Sequence, residues 1–305
     1  MSKKGSVSRR PGFGSRAGIA LFLLPGVGTY AVFMLYPTIQ SFLYSVIEWQ
    51  LLKPVWRFEG FHNYVQLLHD PILLMALGNN FRAWVLHAFL ALPLAVLLSY
   101  ALSRRAHAAG FFRLIYYIPN VCGGSILALI WRFLYTQEYG INAVLKLVGL
   151  GSIIRPWLSA DGIVQWATNF PQTWARVGFW TVVFLAAMSS IPEELYEAAQ
   201  LDGANAWREV IHVTLPGIRG VYLSANIMAV IGSLGSYIYQ YIMTKGGPLH
   251  RSETVMTYTL DTLFTKNDWG YGSTLAVFQF CLGAVLSLLI SRFARKGLRS
   301  MEGVS

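Results

Sequence analysis

Six long apolar runs dominate this sequence and leave few folds open to it. They cover about residues 18–46, 77–102, 111–135, 165–190, 217–243 and 272–294. Each is near or above the roughly 20 apolar residues that a helix needs to cross a bilayer. Backbone groups inside a bilayer must find partners within the protein, so runs of this length are typical of transmembrane helices. The sequence therefore predicts an all-α membrane protein with six membrane-spanning helices, called predicted spans 1 to 6.

The composition agrees with a membrane location. Of the 305 residues, 55% are hydrophobic and only 12% are charged, whereas soluble domains carry roughly a quarter charged residues. The basic start of the chain is typical of a signal peptide. However, the apolar run that follows, residues 19–46, is too long for one and lacks a small-residue cleavage site. We interpret it as an uncleaved first span.

Basic residues are concentrated in both tails and in the loop after predicted span 2. Lysine and arginine mark the cytoplasmic side of a membrane protein, so both termini are predicted to be cytoplasmic. The net charge of +10 is then a signal of topology and not of nucleic-acid binding. The residues concerned are Lys3, Lys4, Arg9, Arg10 and Arg16, then Arg104, Arg105 and Arg113, and finally Arg292, Arg295, Lys296 and Arg299.

One polar interval, residues 191–220, separates predicted spans 4 and 5. Pro192 suits the first turn of a helix, and the glutamates that follow it favour the positive end of that helix. Asp202-Gly203 is a turn signal, and a Leu-Pro pair opens the next apolar segment. The interval therefore predicts a helix–turn–helix elbow between two spans.

The elbow carries a motif that resembles a known family. Glu-Ala-Ala, then Asp-Gly-Ala and, nine residues later, an apolar residue before Leu-Pro is similar to the signature loop of permeases of binding-protein-dependent ABC importers. The flanking residues are most similar to the carbohydrate class, which includes maltose and glycerol-phosphate importers. Val213 stands where isoleucine is more usual. The motif residues are Glu197, Ala198, Ala199, Asp202, Gly203, Ala204, Leu215 and Pro216.

The resemblance implies a fold, a location and a set of partners. The fold is that of a type I ABC importer permease, with a transmembrane domain at residues 18–294, tails at residues 1–17 and 295–305, and a coupling loop at residues 191–216. A helix of this loop would enter a groove of a cytoplasmic ATPase subunit, where Glu197 would pair with a basic residue. The other implied partners are a second, homologous permease, a second ATPase copy, an extracytoplasmic binding protein and a carbohydrate. The implied location is the inner membrane of a prokaryote.

An alternative interpretation of the coupling loop is an amphipathic helix that lies on the membrane surface. Helices of that kind favour lysine and arginine on their polar face, whereas this one is acidic. We therefore favour docking to a partner protein.

Predicted span 4 carries an arginine a third to halfway along it, among polar and aromatic residues. A charge at membrane depth indicates function, and hydrogen-bonding groups beside aromatic rings suit a sugar. Helical spacing places such residues on one face of predicted span 4 and on one face of predicted span 5. We expect them to line a substrate path: Gln172, Arg176, Phe179, Trp180, Ser233, Ser236, Tyr237 and Gln240. Two alternatives stay open, namely a polar contact between helices or subunits and, in predicted span 5, close helix packing.

Sequence motifs for catalysis are absent. The chain has no Walker A pattern, no HExxH, CxxC pair or GxSxG, and its histidines are scattered singly. We expect no enzyme activity, metal site or cofactor in this chain, with ATP and Mg²⁺ bound by the ATPase subunits. A permease for an acidic sugar or a sugar phosphate is an alternative. A self-contained secondary transporter is a weaker one, because the predicted spans carry almost no ionisable groups besides arginines.

Overall fold

The computed structural model describes residues 16–50, 53–104 and 109–302. This part of the chain opens with one long apolar helix. Helix α1 (Arg16–Tyr30) continues through a π-helical turn into α2 (Tyr36–Tyr44). Together they form span 1, Gly18–Tyr44, none of whose most apolar window is buried in the chain. The first 15 residues of the predicted N-terminal tail lie outside the described residues.

A short β-hairpin follows span 1, and it was not predicted from the sequence. Strand β1 (Ile47–Gln50) pairs antiparallel with β2 (Lys53–Phe58). Aromatic side chains hold it against the rest of the chain: the Trp49 ring lies 5.2 Å from that of Trp56 and 5.3 Å from that of Trp269. Helix α3 (His62–Leu68) leads from the hairpin to the next span.

Span 2, Pro71–Ser103, is long and well packed. It consists of α4 (Pro71–Leu86), a π-helical turn and α5 (Leu92–Ser103). The Asp70 carboxylate caps it by accepting hydrogen bonds from the backbone N–H groups of Ile72 and Leu73, at 2.8 and 3.3 Å. Because such a cap satisfies donors that have no partner within the helix, it fixes where the span begins.

Span 3 corrects one prediction. Residues 111–135 were expected to form one continuous helix, but α6 (Ala109–Val121) and α7 (Gly124–Leu134) meet at an angle of 99°. Gly123 lies between them with φ of 75°, a conformation that glycine adopts without strain. The chain therefore breaks there instead of crossing straight. Helix α8 (Gly140–Leu147) and a short 3₁₀ turn at Gly151–Ile153 follow.

The remaining helices contain the coupling loop and three further spans. Span 4 is α9 (Val164–Met188), and it meets α10 (Glu193–Leu201) at 87°. Span 5, Arg219–Thr244, comprises α13 (Arg219–Leu234) and α14 (Ile238–Thr244). Between α10 and span 5 lie α11 (Ala206–Glu209), a π-helical turn and α12 (Leu215–Gly217). Helix α15 (Val255–Leu260) and a π-helical turn precede α16 (Trp269–Glu302), whose Trp269–Arg292 part is span 6.

Four helices of the described chain are long and apolar enough to cross a membrane, and two bent pairs bring the number to as many as six. This count is compatible with the six predicted spans. Helix α16 runs on to Glu302, through most of the predicted C-terminal tail.

The main apolar core lies where spans 2, 4 and 5 meet. It includes Leu92 of span 2, Trp180 and Phe184 of span 4 and Ala225 of span 5, all at most 5% exposed. The Ser99 hydroxyl adds a polar link by donating to the Thr181 carbonyl at 2.8 Å. The elements on either side of the coupling loop are thus packed against the same helix, span 2.

Candidate functional site

The elbow predicted from the sequence is formed, and its first helix, α10, is here called the coupling helix. Pro192 precedes it, and Glu193 and Glu194 lie in its first turn, where negative side chains favour the helix dipole. Gly203 ends it with φ of 78°. The Gly203 N–H donates to the Gln200 carbonyl at 3.0 Å, and the Ala204 N–H to the Ala199 carbonyl at 2.9 Å. This pattern is a Schellman ending, so the DGA part of the motif stops the helix.

The two ends of the coupling loop lie side by side. Ile191 leaves span 4, and Gly217 precedes span 5. A Cβ on residue 217 would lie 2.5 Å from the Ile191 side chain, so glycine lets the two chain ends approach. Between them, the Asn205 side chain caps α11 by accepting from the Arg208 N–H at 3.0 Å. The loop therefore leaves the spans and returns to them as one compact projection.

The outer face of this projection is apolar and acidic. Glu197, Ala198, Asp202, Gly203 and Pro216 are exposed, while Ala199, Ala204 and Leu215 are half-buried. Large apolar side chains are exposed on the same projection, namely Leu195 (53%), Leu201 (89%) and Trp207 (60%). The face offers both apolar area and carboxylates to a partner.

The base of the projection is closed by buried polar contacts. The Tyr196 ring is buried, and its hydroxyl lies 3.1 Å from the Thr214 hydroxyl. The Glu209 carboxylate, only 5% exposed, accepts hydrogen bonds from Arg104 (2.6 Å), from the Tyr100 hydroxyl (2.7 Å) and from the Gln200 side chain (3.1 Å). Arg104 also pairs with Glu193 at 2.8 Å.

These contacts hold the acid and the base in their charged forms. Burial raises the pKa of the Glu209 carboxyl, but the hydrogen bonds from Tyr100, Arg104 and Gln200 outweigh it, so the pKa lies below its ordinary value of 4.5. Burial alone would lower the pKa of the Arg104 guanidinium, but the contacts with Glu209 and Tyr100 raise it by more, so the pKa lies above its ordinary value. A buried charge that is paired and hydrogen-bonded stays ionised. The pair is therefore charged at neutral pH.

A cavity of about 500 Å³ lies between spans 3, 4 and 5. Six of the eight residues predicted for the substrate path line it: Gln172, Arg176, Phe179, Trp180, Ser236 and Tyr237. Its other walls include Asn120 of span 3 and Tyr239 of span 5. The structure thus brings one guanidinium group, two side-chain amides and several aromatic rings around a single cavity.

Ser233 and Gln240 are not part of this lining. Ser233 lies in the last turn of α13, is buried and donates to the Val230 carbonyl at 2.8 Å. Gln240 lies behind the cavity wall: its amide donates to Asn169 at 3.1 Å, and its oxygen lies 3.1 Å from the Ser236 hydroxyl. The break between α13 and α14 interrupts the helical spacing that placed all four residues of predicted span 5 on one face. Gln240 instead supports Ser236, which also lies 2.8 Å from Gln172 Oε1.

Arg176 is the charged group of the cavity, and its hydrogen-bonding capacity is mostly unused. One guanidinium nitrogen reaches the Gly232 carbonyl at 3.5 Å, and Nε is buried without a hydrogen-bond partner. A Cβ on residue 232 would lie 2.7 Å from the guanidinium, so Gly232 provides the space for it. No acidic side chain of the described chain pairs with Arg176. Buried donors are normally satisfied, so this arginine has room for a further acceptor.

Comparison with known proteins decides the family. Residues 71–296 match the family described as binding-protein-dependent transport system inner membrane component. The chain belongs to this family. It is 33% identical over 282 residues to the probable ABC transporter permease protein YurN of Bacillus subtilis, covering 91% of this chain and 96% of that one. It is 32% identical over 281 residues to the diacetylchitobiose uptake system permease protein NgcF of Streptomyces coelicolor, covering 88% and 80%.

A solved structure shares the fold of this family member. A bacterial ABC transporter involved in the import of the acidic polysaccharide alginate contains a chain that superposes with a TM-score of 0.79. The match covers 91% of this chain and 95% of that one, at 21% identity. The predicted fold, a helical ABC importer permease with several membrane spans, is therefore confirmed. The family is one of transport permeases, and the predicted absence of ATPase motifs agrees with that role.

Sequence reasoning missed two groups of residues in this permease. Arg104 was noted only as a sign of topology, and Glu209 not at all; they are 105 positions apart in the chain, and only folding brings them together. Asn120 and Tyr239 of the cavity were also missed. The one signal for these cavity residues in the sequence was Asn120, a polar residue next to Pro119 within the apolar sequence of predicted span 3. Its side chain donates to the Ala175 carbonyl at 2.8 Å and so ties the cavity wall to span 4.

Proposed function

We propose that this permease forms half of the translocation path of an ATP-driven importer for a carbohydrate. A second, homologous permease would complete the path, two cytoplasmic ATPase subunits would drive it, and an extracytoplasmic binding protein would deliver the sugar. The observation that carries the proposal is the coupling loop, an exposed helix whose base is closed against spans 2, 4 and 5. ATP and Mg²⁺ would be bound by the ATPase subunits.

The docking site is the outer face of the coupling loop. Glu197 is exposed and would pair with a basic residue of the ATPase, while Ala198 and Ala199 keep the helix narrow enough to enter a groove. Leu201 and Trp207 would add apolar contact at the rim. Docking by an apolar helix face in a groove is a common mode of recognition. In this proposal the loop and both chain termini would lie on the cytoplasmic side of the inner membrane.

The substrate path is the cavity between spans 3, 4 and 5. Carbohydrate is favoured because the named relatives include permeases for diacetylchitobiose, lactose and arabinooligosaccharides. The lining suits such a ligand, since Gln172, Ser236 and Asn120 can bond hydroxyl groups and Phe179 and Tyr237 offer flat apolar surfaces. An acidic sugar is the second candidate, favoured by the unused hydrogen-bonding capacity of Arg176.

The docking proposal is tested by purifying the chain in mild detergent from its native membrane and identifying its companions. The test variant is Glu197→Lys with Gly203→Asp. The matched control is Glu138→Lys with Gly149→Asp, because Glu138 is an exposed glutamate elsewhere and Gly149 has φ of 79° with open space around it, as Gly203 has. We expect the unchanged chain and the control to retain an ATPase and a second permease. The test variant should retain the permease and lose the ATPase; retention of the ATPase would remove the loop as docking site.

A further inference from the structure

Arg104 is not one of the motif residues, but it lies at a junction between span 2, the coupling helix and α11. It follows α5 directly, at the end of span 2. Its guanidinium bonds Glu193, the first residue of the coupling helix, and Glu209, the last residue of α11. It also lies over the Tyr196 ring, 4.2 Å from the ring centre. One side chain of span 2 thus contacts the coupling helix at two points and the returning helix at a third.

The acid at this junction is bonded to partners within the chain. Glu209 receives Arg104, Tyr100 and Gln200 and is buried. Gln200 belongs to the coupling helix and Tyr100 to span 2, so the carboxylate joins the same two elements as Arg104 does. A buried carboxylate with three hydrogen-bond donors holds its geometry, and removing Arg104 would leave the buried Glu209 charge uncompensated. The junction is therefore built to be rigid.

Span 2 carries the connection from this junction to the membrane cavity. The Ser99 hydroxyl bonds the Thr181 carbonyl of span 4 at 2.8 Å. Farther along, the Asn80 side chain bonds the Ser233 carbonyl of span 5, next to Gly232 of the cavity lining. The coupling helix is joined to spans 4 and 5 by the chain itself. Among the described residues, its side-chain contacts with span 2 run through Arg104, Glu209 and their neighbours.

We propose that Arg104 is a positioning residue that fastens the coupling helix to span 2, so that a push on the helix moves spans 2, 4 and 5 as one body. The inference rests on the proposed function, because it takes the push to come from an ATPase. Arg104 does not take part in docking itself, since its guanidinium faces the base of the loop. Its loss should leave the ATPase bound and able to hydrolyse ATP while transport fails.

The experiment compares uptake and ATP hydrolysis in proteoliposomes that hold the complete importer. The variants are Arg104→Met, which keeps the apolar stem, Arg104→Lys, which keeps the charge but cannot reach both acids with a planar fork, and Glu209→Gln. The matched control is Arg292→Met, an exposed arginine at the end of span 6. We expect Arg104→Met to lower uptake per ATP hydrolysed at least tenfold, Glu209→Gln to act in the same direction, and Arg104→Lys to restore part of the loss.

A second readout separates positioning from mere folding. Spin labels on Glu194→Cys, an exposed site of the coupling helix outside the proposed docking contacts, and on Ser103→Cys report the distance between the coupling helix and the end of span 2. Cys122 and Cys281 are replaced by Ala in this chain. We expect one narrow distance in the resting and ATP-trapped states, and a broadened distribution once Arg104→Met is added. Unchanged uptake per ATP with Arg104→Met, or an unchanged narrow distance, would overturn the proposal. Failure of the parent chain to bind any ATPase would instead refute the proposed function.

Discussion

The base of the coupling loop and the membrane cavity each contain an arginine, and they satisfy its hydrogen-bonding groups in opposite ways. Arg104 is bonded to two carboxylates and covered by an aromatic ring. Arg176 has one long hydrogen bond and a buried Nε without a partner. A satisfied charge fixes a geometry, whereas an unsatisfied one remains available to a ligand. We therefore propose that the loop transmits movement and that the cavity binds substrate.

The largest expected effect comes from separating α6 from α9, two helices that line the cavity. A Cβ on residue 178 would lie 1.8 Å from the Tyr116 backbone oxygen, so Gly178→Val must force α6 away from α9. Overpacking of this kind costs about 1–3 kcal/mol and more against backbone. We expect the variant to lose thermal stability strongly or to fail to accumulate. Gly220→Val is the control, because nothing lies within 4 Å of the added Cβ, and equal loss in both would contradict the account.

Removing the charge of the cavity should weaken binding without touching the loop. Arg176→Met deletes a charged donor, and a hydrogen bond to a charged group contributes about 1.5–3 kcal/mol. We expect the KM for uptake to rise about tenfold to hundredfold while ATP hydrolysis per complex persists. Parallel assays with a neutral oligosaccharide and its uronate counterpart would show for which substrate the KM rises more.

Arg132→Met is the matched control for that measurement. Arg132 bonds the Ile242 carbonyl at 3.2 Å and does not line the cavity. Unchanged KM values for both variants would remove Arg176 from the substrate path and restore the alternative of a contact between helices or subunits.

How far the two regions could be predicted differs for a physical reason. The turn at Asp202-Gly203 and the helix before it depend on neighbouring residues, so the loop was visible in the sequence. The closure of its base was not, because Arg104 and Glu209 come from distant parts of the chain. In the cavity, helical spacing found Arg176 and Phe179 but misplaced Gln240.

Two breaks in the helices explain most of the remaining errors. The pattern for predicted span 5 assumed an unbroken helix, whereas the structure interrupts it before Tyr237. Span 3 bends at Gly123, and Pro119 together with Gly123-Gly124 signalled such a break. The β-hairpin before α3 lacked a turn signal of the Asn-Gly kind, and its strands are held by aromatic contacts with Trp269, far along the chain.

The charged state of the loop base should be visible in the pH dependence of stability. The pKa of Glu209 is lowered on folding, so its contribution is present above the ordinary carboxyl value of 4.5 and is lost as the pH falls below it. Glu209→Gln should therefore lower the Tm of the purified protein at pH 7, and the difference from the parent should shrink toward pH 3.5. A difference that stays constant with pH would show that the carboxylate charge does not stabilise the base.

The smallest expected effect concerns one hydroxyl of the same base. Tyr196→Phe keeps the ring under Arg104 but removes the hydrogen bond to Thr214, which should cost about 0.5–1.5 kcal/mol of unfolding free energy. Thermal unfolding in detergent measures it, with Tyr139→Phe as control because Tyr139 is 60% exposed. A loss as large as that of Arg104→Met would mean that the ring and the hydroxyl, more than the ion pair, hold the base together.

The most direct test of the central claim is uptake into proteoliposomes that contain the chain with its co-purified partners. ATP is supplied on the side of the coupling loop, and the binding protein loaded with oligosaccharide on the other. We predict accumulation only when ATP and binding protein are both present, with no accumulation from a proton or sodium gradient alone. Accumulation driven by such a gradient without ATP would contradict the account and identify a self-contained secondary transporter.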